Sequence, residues 1–504
     1  MSLPRSGQVT AISRRLVGRY DPVELAGRFE SPFFFRRMGG RALILIDSAL
    51  SLEATGGTAR IEAMGEGGRL LLPVIVEAHA ANLIQRDDGS ATFAFIRSDD
   101  PDEAVRAASP TALDLLRAMV STLSSIDHDE PFALTALGVV GFDHVDMLEA
   151  LPPRPEGQFP DLLFQLAETL VVVEANGAAR VLAMAAGSDD PAQAHRQHHL
   201  AAERLATTVA LCEARREDAR VIEAPQPVTA TPDFDDAVFA RSVELLKDHV
   251  AAGDIFQAVP SRVFRAPCND SGAAFRRLMV ADPSAYNYRF DSGYGVLFGA
   301  SPETAVEVRR DGDRRTVIVR PIAGTRPRGG NADEDGRQEA DLRLDQKELA
   351  EHMMLVDLAR NDVARVAKPG SRRVARLLDT LRFQKVMHLE STVEGDLADG
   401  RDAVDVIRTC LNVGTLSGAP KLKAIELIRK VEGSARGPYG GAIGYLTGDG
   451  SMDTAVVIRS ALVRDGVAEV RAGAGVVADS DPLAEAAETR AKASAVLAAL
   501  GAVA

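Results

Sequence analysis

Strand-like and helix-like segments follow one another along these 504 residues without a regular strand–helix–strand period, and that irregular order most limits what the chain can fold into. A doubly wound parallel sheet needs a crossover, usually a helix, between successive strands. Here the apolar runs 42–46 and 70–77 read as buried strands, and 170–174 with 179–184 as a hairpin about Asn176-Gly177. Beyond a long helix at 192–216, the spacing predicts helices over 234–252, 338–366, 421–431 and 482–500. Strands are expected at 258–264, 285–290, 296–300, 315–322 and 468–471, with a hairpin over 441–463. Asp481 as N-cap and Pro482 at the first helical position mark the start of the last helix. The expected class is α+β.

Composition narrows the partners. The 58 Lys and Arg against 72 Asp and Glu leave a net charge of −14, a poor match for nucleic acid or an anionic membrane surface. No apolar stretch of about 18 residues is present to span a bilayer. Cys212, Cys268 and Cys410 are too widely spaced for a disulfide framework, so a reducing, cytoplasmic setting is expected. Two segments read as connectors, 98–110 and 223–233; the second, E-A-P-Q-P-V-T-A-T-P-D, divides the chain into regions 1–225 and 226–504.

Several patterns could carry chemistry. Glu348 and Glu351 lie three apart on one helix, and Glu485 and Glu488 three apart on another, so each pair shares a helix face. Side by side, the two helices would offer a cradle of hard oxygen ligands suited to Mg2+. The alternative is two solvated faces, with Lys347 and Lys492 as ion-pair partners. The glycine-bearing loop G-T-L-S-G-A-P-K at 414–421 runs into a helix and could hold an anion, or be a plain turn. G-A-G-V-V-A at 473–478 approximates a dinucleotide fingerprint, but only the final helix follows it, so no strand–helix–strand unit can be built there. His195, His198 and His199 read as a polar helix face, without a carboxylate or Cys to complete a metal set.

Taken together, D-I-F-Q-A-V-P-S (254–261), G-A-S-P-E (299–303), P-I-A-G-T-R-P-R-G (321–329) and K-E-L-A-E-H-M-M-L-V-D-L-A-R-N-D (347–362) resemble the chorismate-utilising enzymes. So do V-M-H-L (386–389), G-T-L-S-G-A-P-K (414–421), P-Y-G-G-A-I-G-Y (438–445), V-I-R-S-A (457–461) and A-G-A-G-V-V (472–477). The resemblance is greatest to component I, the large subunit, of anthranilate synthase.

This resemblance implies a large α/β sandwich with its active site in the C-terminal region. It implies Mg2+ on the two glutamate pairs, with Glu348 and Glu485 as direct ligands and Glu351 and Glu488 in support. Gly324, Thr325, Tyr439, Arg459, Gly473 and Gly475 would bind chorismate. Ammonia would attack C2 while the C4 hydroxyl leaves, with Glu303 as general acid; His388 and Thr415 would serve the loss of pyruvate that yields anthranilate. Gln257 stands where water-adding relatives carry a lysine base, and Ala323 where another branch carries a nucleophilic lysine; both favour amination at C2. A feedback site would use Asp47 and Ser48, where the family reads L-L-E-S, and Pro283, Tyr286 and Asn287, in D-P-S-A-Y-N where it reads N-P-S-P-Y-M. The closest alternative is a secondary-metabolism synthase that stops at 2-amino-2-deoxyisochorismate. None of the cysteines sits in a glutaminase nucleophile turn, so glutamine use would require an amidotransferase small subunit.

Overall fold

Side-chain alternation along the strands builds two apolar layers. In the strand Phe33–Arg37, Phe33 and Phe35 enter one buried layer with Leu43, Leu45, Tyr286, Tyr288 and Phe290, while Phe34 points to the opposite face with Ile44, Phe298 and Ala300. Helix residues Phe275, Leu278, Val496 and Leu497 close that second layer. The computed structural model describes residues 3–214, 224–383 and 386–503. Among them, 23 strands join in one mixed sheet with helices against its faces, an α+β architecture as expected.

Strands from both sides of residue 225 interleave. Phe33–Arg37 pairs with Ala42–Thr55 on one edge and Tyr286–Ser292 on the other, and Thr135–Val140 pairs with Ala442–Thr447. The connector expected at 223–233 begins outside the described residues at Glu223. Its remainder is stitched down: Val228–Thr229 pairs with Ala502–Val503, and Thr231–Pro232 with Ser261–Pro267. The other connector, 98–110, contains a short helix, Glu103–Ala108. The long helix expected over 192–216 is Pro191–Glu213; residues 215 and 216 lie outside the described residues.

Four expectations need correction. The run 70–77 is helical, within Glu66–Ala78, and buries Leu71, Leu72, Ile75 and Val76 on one face. A short apolar run does not by itself tell a buried strand from a buried helix. Gly68 lets the helix pack tightly on the sheet: a Cβ there would lie 1.9 Å from the Ala49 carbonyl oxygen. The single helix expected over 338–366 is two, Ala332–Leu344 and Gln346–Ala364, broken at Asp345. The strand expected over 315–322 is likewise two, Arg314–Val319 and Ile322–Pro327, divided at Arg320-Pro321. The hairpin over 441–463 is three strands, of which Ser460–Arg464 leaves to pair with Gly295–Ser301 and Val467–Gly473. The last helix is Pro482–Leu500, with Asp481 accepting from the Ala484 amide at 2.8 Å. Among the described residues no helix is long and apolar enough to cross a membrane.

Candidate active site

The break at Asp345 positions the first glutamate pair. Asp345 accepts from the Lys347 and Glu348 amides at 2.9 and 3.2 Å, which starts a new helix and puts Glu348 in its first turn. Arg326 ties that turn to the strand Ile322–Pro327, donating to Asp341 and Asp345 at 2.6 Å each and lying 3.4 Å from Glu348. In this strand Gly324 adopts φ +82° at a register shift, and a Cβ there would lie 3.4 Å from the Glu348 carboxylate.

Electrostatics couple the two helices. Burial raises the Glu351 pKa, and the charges of Glu348 on its own helix and Glu488 on the other raise it further. Burial also raises Glu485, with the neighbouring Glu488 charge adding to it against the Ser480 hydroxyl. Burial pushes Glu488 the same way, but the Lys492 ammonium, 2.7 Å away, outweighs it and holds Glu488 below its usual range. Among the described residues no three His, Cys, Asp or Glu are already gathered as a metal cage. The donor set nevertheless fits a hard cation. Glu485 Oε2 is buried without a hydrogen-bond partner, and an orphaned carboxylate oxygen is costly unless a positive charge meets it.

A second cluster holds the acid and base candidates. Glu303 follows the strand Gly295–Ser301; its amide donates to Ser301 Oγ at 3.3 Å, and its carboxyl accepts from Thr415 Oγ1 at 2.7 Å. Burial raises Glu303 to about 7, against the Thr415 hydrogen bond and the Lys492 charge. His388 moves the other way: burial lowers it to about 4, and the Arg459 and Lys492 charges contribute, against the hydrogen bond to Gly324. Its Nδ1 lies 3.0 Å from both the Gly324 carbonyl and Thr325 Oγ1. A carbonyl only accepts, so Nδ1 carries the proton and Nε2 keeps its lone pair.

The glycine segment at the end of Val467–Gly473 and beyond it packs against Tyr439, Gln257 and Glu351. A Cβ on Gly473 would lie 2.6 Å from the Pro260 oxygen and 3.0 Å from the Tyr439 hydroxyl; one on Gly475 would lie 2.9 Å from Gln257 Nε2. Burial lifts Tyr439 to about 12, so it stays a neutral donor. Gln257 sits where Gln257–Ala258 leave the main sheet to pair with Gly418–Ala419; its Nε2 is 3.4 Å from Glu351, and its buried Oε1 has no partner. Arg459 has φ +51° and an ion pair to Asp282 at 3.6 Å.

The fold thus draws Glu303 to Thr415, His388 to Gly324 and Thr325, Gly475 to Gln257 and Glu351, and Gly473 to Tyr439. Lys492 reaches further than its sequence signal: besides pairing with Glu488 it donates to the Gly473 carbonyl at 3.1 Å and acts on Glu303 and His388. Its position four residues after Glu488 suggested only a surface pair.

The feedback candidates lie on and beside the strands flanking Phe33–Arg37, next to Glu303 through the Tyr286–Thr304 bond and next to Arg459 through Asp282. Asp47 is exposed and Ser48 is half-buried, donating to Gln165 at 3.2 Å. Pro283 is exposed. Asn287 is buried, its Nδ2 without a hydrogen-bond partner, whereas Tyr286 points to the other face and bonds Thr304 and Asp453 at 2.9 and 2.8 Å.

The strand-rich scaffold thus carries two paired-carboxylate helices, a buried carboxyl at Glu303 and a buried imidazole at His388. The chain belongs to the chorismate binding enzymes, which it matches over residues 81–498. It is similar to the pyocyanine-specific anthranilate synthase component 1 of Pseudomonas aeruginosa, 44% identical over 478 residues, covering 92% of this chain and 87% of that one. Anthranilate synthase component 1 of Vibrio parahaemolyticus is 42% identical over 471 residues, covering 91% and 85%. The crystal structure of anthranilate synthase component I from Streptococcus pneumoniae superposes with a TM-score of 0.71 at 29% identity, covering 92% of each chain. A menaquinone-specific isochorismate synthase from Escherichia coli shares the fold, with a TM-score of 0.66 at 17% identity and coverage of 99% of this chain and 96% of that one.

Proposed function

We propose that the chain is the chorismate-aminating subunit of an anthranilate synthase, releasing anthranilate and pyruvate through 2-amino-2-deoxyisochorismate. The observation that carries this reading is the buried Glu303 carboxyl held by Thr415 at 2.7 Å, with the neutral Gln257 against Glu351, in a chain similar over its length to anthranilate synthase component 1. Glu303 is raised to about 7 and His388 lowered to about 4, so a carboxylic acid and a free imidazole coexist near neutral pH.

Hydroxide is a poor leaving group, and Glu303 supplies the proton that lets the C4 hydroxyl depart as water. Thr415 holds the acid's other oxygen in place. Gln257, neutral and buried, leaves the nucleophile to its own lone pair; ammonia needs no base to attack, whereas water does. In the second half-reaction the Nε2 lone pair of His388 takes part in removing the C2 proton, or orients the ring for it, while Thr325 and Gly324 fix the tautomer. Arg459, Tyr439 and the Gly473–Gly475 backbone bind the carboxylates. Mg2+ held by Glu348 and Glu485, with Glu351 and Glu488 in support, would supply Lewis-acid chemistry on the ring carboxylate. An amidotransferase small subunit delivers ammonia from glutamine, and the buried, unpaired thiols of Cys212, Cys268 and Cys410 suit a reducing cytoplasm.

Chorismate, ammonium and Mg2+ are expected to give anthranilate and pyruvate in equal amounts by mass analysis, with no added partner. Glutamine is expected to be inert until an amidotransferase is supplied. In the same assay His388→Met, which cannot exchange a proton, is expected to consume chorismate but release mainly 2-amino-2-deoxyisochorismate. If the wild-type chain consumes chorismate and ammonia without pyruvate, it belongs with the synthases that stop at that intermediate.

A further inference from the structure

Arg459 has an internal anion beside it. Asp282 closes the helix Ser271–Ala281: its amide donates to the Leu278 carbonyl at 2.8 Å, and its Oδ1 accepts from Ser284 Oγ at 2.7 Å. Its Oδ2 lies 3.6 Å from the Arg459 guanidinium. The carboxylate is therefore held by its own turn whether or not the arginine is present. Arg459 is anchored through its backbone: the carbonyl accepts from the Ala300 amide at 3.1 Å, and φ is +51°, a conformation few non-glycine residues adopt. Only its guanidinium is free to change partner.

We propose that Asp282 stands in for a chorismate carboxylate at Arg459 and gives way when substrate binds, so that it sets KM rather than the chemical step; this rests on the function proposed above. Three features favour exchange over a permanent structural pair. A charge-assisted bond closes to about 2.7–2.9 Å, and this one stays open at 3.6 Å, whereas Arg326 in the same site reaches its aspartates at 2.6 Å. The C-terminal end of the helix Ser271–Ala281 adds partial negative charge on the Asp282 side, which attracts the arginine and opposes an incoming dianion. The Arg459 charge also acts on His388, so the guanidinium is within electrostatic reach of both Asp282 and that imidazole.

The test measures KM and kcat with saturating ammonium and Mg2+, alongside calorimetric binding of chorismate, for wild type, Asp282→Asn, Asp282→Ser and Asp282→Glu. Removing the competing charge in the Asn and Ser variants is expected to lower KM and Kd by roughly 3- to 10-fold with kcat within about twofold. Asp282→Glu keeps the charge and is expected to stay near wild type. The salt dependence of KM is expected to differ between wild type and Asp282→Asn, because one charge has left the site. An unchanged or raised KM in both neutral variants, or a fall in kcat alone, overturns the proposal. A chain that binds chorismate without turning it over fails the functional reading yet still tests the exchange through Kd. A chain that does not bind chorismate overturns both.

Discussion

Glu303→Gln is expected to lower kcat by roughly 10²–10⁴-fold with chorismate binding retained, the range that a lost general acid costs. The amide keeps the shape of the carboxyl and can still meet Thr415, but has no proton of suitable acidity for the departing hydroxyl. The pH profile carries the same signature. Glu303 acts only while protonated, so activity requiring it is present below about 7 and falls as the pH rises through that value. Stability follows with the same sign. The folded carboxyl titrates at about 7 and the unfolded one at 4.5. Between these values the folded chain keeps a proton that the unfolded chain has released, and the associated stability is lost as the pH rises. Glu303→Gln removes that loss, so denaturation midpoints measured from pH 4 to 8 are expected to fall less steeply in the variant. Wild-type turnover in Glu303→Gln would end the assignment of the acid.

Glu485→Gln is expected to separate activity from stability. With chelator present, its melting temperature should exceed that of wild type, because the substitution removes a carboxylate whose Oε2 is buried without a partner. With Mg2+ present the order should reverse. A ligand at a hundredfold excess over its Kd adds about 2.7 kcal/mol to the stability of the chain that binds it, and the variant forgoes much of that gain. Turnover should drop by roughly 10²-fold or more, as expected when a cation that polarises the substrate is lost. Full activity of the wild type in chelator, or an unchanged Mg2+ response in the variant, would remove the cation from the proposal.

Much of the site was legible before the fold was known because its parts are local. A pair of glutamates three residues apart shares a helix face wherever that helix lies, and Asp481-Pro482 starts the last helix by capping chemistry alone. The run 70–77 is helix where a strand was expected because apolar residues without clear periodicity suit either element. The break at Asp345 was missed for a related reason. Apolar spacing carries across it, while the cap bonds to Lys347 and Glu348 and the hold of Arg326 depend on a strand that arrives from elsewhere.

The sequence by itself determined most element types, the cap of the last helix and the chemical groups available: four glutamates in two pairs, an acid after Ser301, an imidazole, and glycines where backbone must come close. Only the tertiary structure decided how those groups are charged. The raised Glu303, the lowered His388 and the opposed pair Glu485 and Glu488 take their states first from burial and then from neighbouring groups the fold brings close. Desolvation and Coulomb interaction act through space, so no local spacing encodes them; they arise when strands and helices distant in the chain enclose the same site.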